Sequence, residues 1–311
     1  MKFRTLDLAA AALLSAVCCT KSPSGTDIAE EKVPVKIRTD VVCVTKGENT
    51  PETIQTIDLF VDNLDDPNYS YTNTTFTRGT DGKWTPEVPM FWQKPTGERQ
   101  SINVLAISPA LETKGRTIYD DPIATLEIEQ RQSADSRKSD WLIYNFSDNE
   151  YSEQRFTPDG MLELTFRHMM SKLRLEFSFG TEFNHDGIPS ENPIGDLKID
   201  GPSTRFSIRR APSKGFEIIK DWSSEATIYP YEVQWRPAES KDKRCVAVYE
   251  CFLIPDFTEI NVSFTIDGVP FSWAPVSSYV SFHQNKVHTA QITVGKDEIA
   301  VKAFAAGDWN E

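Results

Sequence analysis

Short apolar runs that alternate with polar residues at a period of two constrain this chain more than any other feature. Ile260, Val262, Phe264 and Ile266 alternate with Glu259, Asn261, Ser263 and Thr265. Leu162, Leu164 and Phe166 alternate with Glu163, Thr165 and Arg167, and Leu173, Leu175, Phe177 and Phe179 with Lys172, Arg174, Glu176 and Ser178. Successive side chains of a strand point to opposite faces, so this period turns one apolar face inward and one polar face to water. No window carries a sustained helical stripe. The 19 Pro and 15 Gly fall mostly between the runs. Asp81-Gly82 and Asp267-Gly268 have the composition of hairpin turns. Many short strands with frequent turns predict an all-β chain built of β-sandwiches.

The alternation changes phase once. Apolar residues take even positions from Leu162 to Phe166 and odd positions from Leu173 to Phe179. A one-residue slip exchanges the two faces of a strand, so the chain must bulge or turn around Met169-Met170-Ser171. At roughly 150 residues per domain, the length suggests two domains. The junction is placed near the phase change, giving an N-terminal sandwich over 33–160 and a C-terminal one over 161–311.

The first residues read as an export signal. Lys2 and Arg4 form a positive end, Leu8 to Val17 an apolar core, and Cys18 and Cys19 follow. That core is too short to span about 30 Å of hydrocarbon as a helix, so it is a cleaved address. The order is that of a lipoprotein signal peptide over 1–18, with Cys19, then Cys18, as the candidate for acylation (palmitate). The rival reading is an ordinary signal peptide cut nearby. Residues 19–32, rich in Ser, Pro and Gly, read as a flexible tether. This places the rest of the chain outside the cytosol, tethered to a bacterial membrane by acyl chains.

The charge and cysteine usage exclude several classes. The net charge is −13; losing Lys2, Arg4 and Asp7 leaves 31 basic and 45 acidic residues, hence −14. A surface that acidic repels nucleic acid, whose binding draws on Lys and Arg against phosphates. Cys43, Cys245 and Cys251 form no close pair of the metal or redox kind. In one straight strand, Cys245 and Cys251 stand about 20 Å apart, beyond disulfide reach. All three are expected to be buried free thiols.

Chemistry-bearing motifs are absent: there is no HExxH, GxSxG, P-loop or GxGxxG. His168, His185, His283 and His288 lack acids at ligand spacing, so no metal and no cofactor is expected. Asp65-Asp66 and Asp120-Asp121 beside prolines read as solvated turns. Trp84, Trp92 and Trp141 are expected in the core, with sugar stacking as the alternative.

A series of segments nonetheless has an ordered likeness. It runs Thr56–Val61, then Gly82-Lys83-Trp84 and Met90-Phe91-Trp92, then Ile102–Pro109 and Ser139–Tyr144. Leu162–Leu173, containing LxFxHxxSKL, and Lys286–Trp309 complete it. In these segments the chain resembles the fimbrillin-like family, lipoprotein precursors of type V pili in Gram-negative anaerobes. Gln284-Asn285-Lys286 departs from the Gly-Lys usual there.

The resemblance implies two tandem transthyretin-like sandwiches and no catalysis. It implies a pilus subunit or accessory subunit that serves adhesion, with other pilus subunits as partners through β-strand addition. In that scheme a lipidated precursor is carried to the outer membrane and cell surface and cut after an arginine, the first strand leaves, and another subunit's strand fills the groove of the assembling fimbrium. Carried onto this chain, the cut is expected at Arg38-Thr39 and the donor strand at 299–309. Ile299, Val301, Ala303 and Ala305 are expected on one face of that strand, with Trp309 near its end. A host protein or glycan is a further expected partner, and a carbohydrate-binding surface lipoprotein is the alternative function.

Overall fold

The computed structural model describes residues 32–41, 52–93, 101–134, 138–145, 161–211, 215–274, 280–296 and 299–309, the side chains of 257, 258, 302 and 303 excepted. Among these residues the chain is all β, apart from three short 3-10 turns at Pro67–Tyr69, Thr181–Asn184 and Trp222–Ser224.

A seven-stranded sheet runs in the order β2 (Lys36–Val41), β10 (Met161–His168), β9 (Leu142–Asn145), β7 (Ile102–Ser108), β3 (Thr56–Asn63), β4 (Tyr71–Arg78), β5 (Trp84–Pro86). A five-stranded sheet runs β16 (Tyr231–Arg236), β17 (Val246–Leu253), β11 (Ser171–Phe179), β22 (Lys286–Val294), β23 (Ile299–Asp308). Four strands form β15 (Glu225–Ile228), β12 (Ile194–Ser203), β19 (Asn261–Ile266), β20 (Val269–Trp273). Three form β14 (Gly215–Lys220), β13 (Arg205–Ala211), β8 (Ala124–Glu127). The short strands β1 (Val33–Pro34) and β6 (Phe91–Trp92) pair, as do β18 (Asp256–Thr258) and β21 (Val280–Phe282).

The apolar side chains gather into two cores. One holds Val35, Ile37, Ile57, Leu59, Phe76, Trp92, Leu162, Leu164 and Phe166. The larger holds Leu173, Leu175, Phe177, Ile199, Phe206, Val262, Phe264, Ile292 and Trp309, and it also takes Phe60, Leu105, Ile107 and Ile143 from the first half of the chain. The middle of the seven-stranded sheet therefore has a core on each side. Ile102, Val104 and Ala106 of β7 face one, Leu105 and Ile107 the other. Such a strand reads as a continuous apolar run, because both faces are dry.

The phase change marks a passage between sheets. β10 lies in the seven-stranded sheet and β11 in the five-stranded one, with Met169 and Met170 fully buried between them. Met169 N–H donates to Trp141 O at 2.7 Å, and Met170 O accepts from Asn285 N–H at 3.0 Å. β10 falls beyond residue 160 in sequence but pairs with β9 and β2. β8 falls before it but pairs with β13.

Asp267 and Gly268 take φ of 49° and 79° between the paired Ile266 and Val269. These are the left-handed conformations that a two-residue hairpin of primed type needs. Cys245 and Cys251 are buried and free; Cys43, Cys18 and Cys19 lie outside the described residues. Trp92 is buried, and Trp84 and Trp141 are half-buried against the cores.

The candidate strand-assembly site

Two sheet edges carry the residues that the sequence singles out. β2 is one edge of the seven-stranded sheet and β23 one edge of the five-stranded sheet. The structure does not bring the two strands together.

Arg38 and Thr39 sit mid-strand in β2, in register with Glu163 and Leu164 of β10 in a parallel pairing. The Arg38 side chain is 64 % exposed and pairs with Glu163 across 3.4 Å. Its neighbours Val35, Ile37 and Val41 are buried. The strand thus turns apolar residues into the core and shows its arginine to solvent. β1, just before it, pairs Val33 with Trp92 and Pro34 with Phe91.

β23 pairs antiparallel with β22 along its whole length, from Val294↔Ile299 to Lys286↔Asp308. The register shifts at Gln291/Ile292, where Ala303 opposes Gln291 and Val301 opposes Ile292. A bulge of this kind reverses which side chains face inward. Ile299 and Val301 pack on the core before it and Phe304 after it, while Ala305 is exposed. The expected single face through Ala305 is therefore corrected: the inserted residue breaks the alternation.

Beyond the strand, Trp309 is fully buried. Its indole stacks on His168, with ring centroids 4.2 Å apart and planes 12° from parallel. Phe252 stacks near it at 6.2 Å, and Lys172 Nζ stands 5.2 Å from its ring centroid. His168 Nδ1 lies 2.6 Å from Asp140 Oδ1, and both side chains are shut off from water. Lys172 pairs with Glu250 at 3.5 Å, and Glu250 Oε1 accepts from Arg174 Nη1 at 2.6 Å. Burial lowers the Lys172 ammonium below its ordinary range, with the Glu250 carboxylate working against that shift. Burial likewise raises the Tyr231 hydroxyl, assisted by Glu250. Buried charges persist only when paired and hydrogen-bonded, and this group is.

His168, Ser171 and Lys172 of the LxFxHxxSKL stretch thus have a common task. His168 and Lys172 contact the indole of Trp309. Ser171 Oγ donates to Lys286 O at 3.4 Å, at the end of β22 that faces Asp308. Asp140, Glu250 and Phe252 complete the seat. Their roles have no local signal, since they come from the loop before β9 and from β17, both distant in sequence from Trp309.

Among the described residues no group of His, Cys, Asp and Glu could hold a metal, and no helix is long and apolar enough to cross a membrane. The backbone N–H of His283 donates to His288 Nε2 at 3.0 Å, which gives the His288 ring a partner within the fold.

A fimbrillin-like family model matches residues 40–309. No curated protein matches the chain. Among solved structures, a candidate cell adhesion protein from Bacteroides ovatus superposes with a TM-score of 0.62 at 12% identity, covering 89% of this chain and 98% of that one. One from Bacteroides uniformis gives 0.57 at 14%, covering 90% and 98%. A fimbrial protein from Bacteroides vulgatus gives 0.50 at 14%, covering 88% and 99%. At such identities the likeness is one of fold.

Proposed function

The chain belongs to the fimbrillin-like family, and from that premise we propose that it is a non-catalytic fimbrial subunit that joins its neighbours by strand addition. The observation that carries this reading is the edge strand β2. It buries Val35 and Ile37 in the core while presenting Arg38 to solvent. A cut at Arg38-Thr39 detaches β1 and the first half of β2. The β10 edge alongside Leu162 then loses its partner, and the core loses Val35 and Ile37. Each such side chain is worth about 1.5–3 kcal/mol when buried. An incoming strand recovers both terms: main-chain hydrogen bonds along β10, and alternate side chains in the vacated sites.

In this reading Cys19 or Cys18 carries the lipid that holds the precursor at the outer membrane, and 299–309 is the segment given to another subunit. β23 suits that part because it is an edge strand, with its outer side unpaired within the sheet. Sheet edges are where pairing with a second chain begins.

Limited digestion with an arginine-specific protease tests the reading, with N-terminal sequencing and electron microscopy as readouts. A new N-terminus at Thr39 accompanied by filaments supports it. A β2 that resists the protease, with the protein remaining monomeric, removes the polymerising role.

A further inference from the structure

We propose that an open groove beside β12 binds an acidic saccharide, a site separate from both sheet edges and independent of whether the chain polymerises. The groove encloses about 530 Å³ and is walled by Arg131, Ile194, Asp196, Lys198, Tyr229 and Tyr249 among others. That volume is within the ordinary range for small-ligand sites, roughly 300–1,000 Å³.

Arg131 is held for the purpose. Its guanidinium carbon lies 4.1 Å from the centroid of the Tyr229 ring, so the planar group is stacked on one face. The backbone bridges to Tyr229 in parallel. Tyr229 N–H donates to Gln130 O at 2.7 Å, and Gln132 N–H donates to Tyr229 O at 3.2 Å. The next residue, Gln132, is buried and fixed in both directions to Phe252: its Oε1 accepts from Phe252 N–H at 2.6 Å and its Nε2 donates to Phe252 O at 3.0 Å. A guanidinium so held loses little freedom on binding, and its fork matches a carboxylate at two points. Among the described residues it makes no ion pair with an acid.

The β12 side of the groove shows a second feature. Asp196, exposed, has φ of 50°, a left-handed conformation, in the stretch where β12 slips register against β19 between Gly195 and Lys198. Asp adopts this conformation more readily than most residues, and the register slip accommodates it. Here it places a carboxylate beside the groove, an acceptor for sugar hydroxyls. Lys198 also lines the groove, its charge offset by Asp200 at 3.4 Å. Tyr249 Oη accepts from Asn192 Nδ2 at 2.7 Å, which fixes a further polar atom on the wall. The Arg131 fork, with the Asp196 carboxylate and the Tyr249 hydroxyl lining the same groove, matches a sugar that carries one carboxylate. A neutral sugar leaves the Arg131 fork unused.

Isothermal titration calorimetry on the full chain, with 3′-sialyllactose, digalacturonate and lactose, tests this. At least one acidic probe is expected to bind with a Kd of about 1 mM or tighter, and lactose at least about tenfold more weakly. Arg131→Lys keeps the charge but loses the fork, and weakens the acidic probe about tenfold or more. Should that variant unfold, Lys198→Gln at the exposed wall is expected to weaken it about threefold. No heat from either acidic probe, equal binding of lactose, or an unchanged affinity in the folded variant overturns the proposal.

Discussion

Trp309 and His168 stack with their ring centroids 4.2 Å apart, both fully buried, although 141 positions separate them in the chain. The contact ties the segment just past β23 to the last residue of β10, which belongs to another sheet. The last turn of the β23 segment is therefore fastened by a plug rather than by the β22 ladder alone.

Removing the plug is expected to be costly. Trp309→Ala deletes a large, fully buried side chain from the larger core, at about 3–5 kcal/mol. Denaturant unfolding measures it as a lower midpoint with an unchanged slope. Hydrogen exchange then shows faster opening at Lys286 to Thr289, which face the end of β23, than at Ala290 to Val294. Uniform protection along β22 in the variant argues against the plug.

Asp140 acts on Trp309 through His168. Its carboxylate lies 2.6 Å from the His168 ring nitrogen in a site without water access. Asp140→Ala removes the charged partner from a buried imidazole, at about 1–3 kcal/mol. Because Asp140 and Trp309 share His168, the double variant is expected to depart from additivity by about 0.5 kcal/mol or more. Strict additivity in a double-mutant cycle shows that the two contacts are energetically separate.

The sequence carried the alternation and concealed the long-range seat. Leu162, Leu164 and Phe166 bury and Glu163 and Thr165 do not, because β10 has one wet face. The phase change at Met169-Met170 predicted a turn, and the chain changes sheets there. Where period and burial part company, the cause is tertiary. β7 is buried throughout because cores lie on both sides of it. Lys172 follows the polar phase of β11 and is nevertheless buried, since Glu250 from β17 neutralises it. β16 and β14 show no clean alternation: they are sheet-edge strands that expose most of their residues in part. The bulge in β23 is invisible in composition, so Phe304 takes the inward place expected of Ala305. Asp196 and Arg131 lacked any signal at all, because a register slip and ring stacking depend on neighbours distant in sequence.

Arg38 separates stability from processing. Its ion pair with Glu163 joins two side chains that are 64 % and 52 % exposed, and such pairs contribute about 0–1 kcal/mol. Arg38→Ala is expected to leave the unfolding midpoint almost unchanged while abolishing cleavage at Arg38-Thr39 by an arginine-specific protease, read by mass spectrometry. A persistent cut between the same residues, or a large loss of stability, contradicts this.

His288 sets a pH dependence whose sign follows from its surroundings. It is nearly inaccessible to water, its Nε2 accepts from His283 N–H at 3.0 Å, and Phe282 and Phe304 rings lie 5.0 and 5.9 Å from it. Burial, with the nearby His283 second, pushes its pKa down from 6.5 to about 4. Above about pH 6.5 the imidazole is neutral in both folded and unfolded chains, so its contribution is constant. Between about 6.5 and 4 the unfolded chain takes up a proton that the folded chain refuses, so stability falls as the pH drops through that window. The full difference amounts to about 3 kcal/mol. Protonation also removes the acceptor that His283 N–H uses, and it does so beside Phe304 of β23. His288→Gln keeps an acceptor without titrating, so the drop between pH 6.5 and 4 in denaturant midpoints shrinks by that amount relative to the native chain. An identical pH profile in the two proteins assigns the acid sensitivity to carboxylates instead.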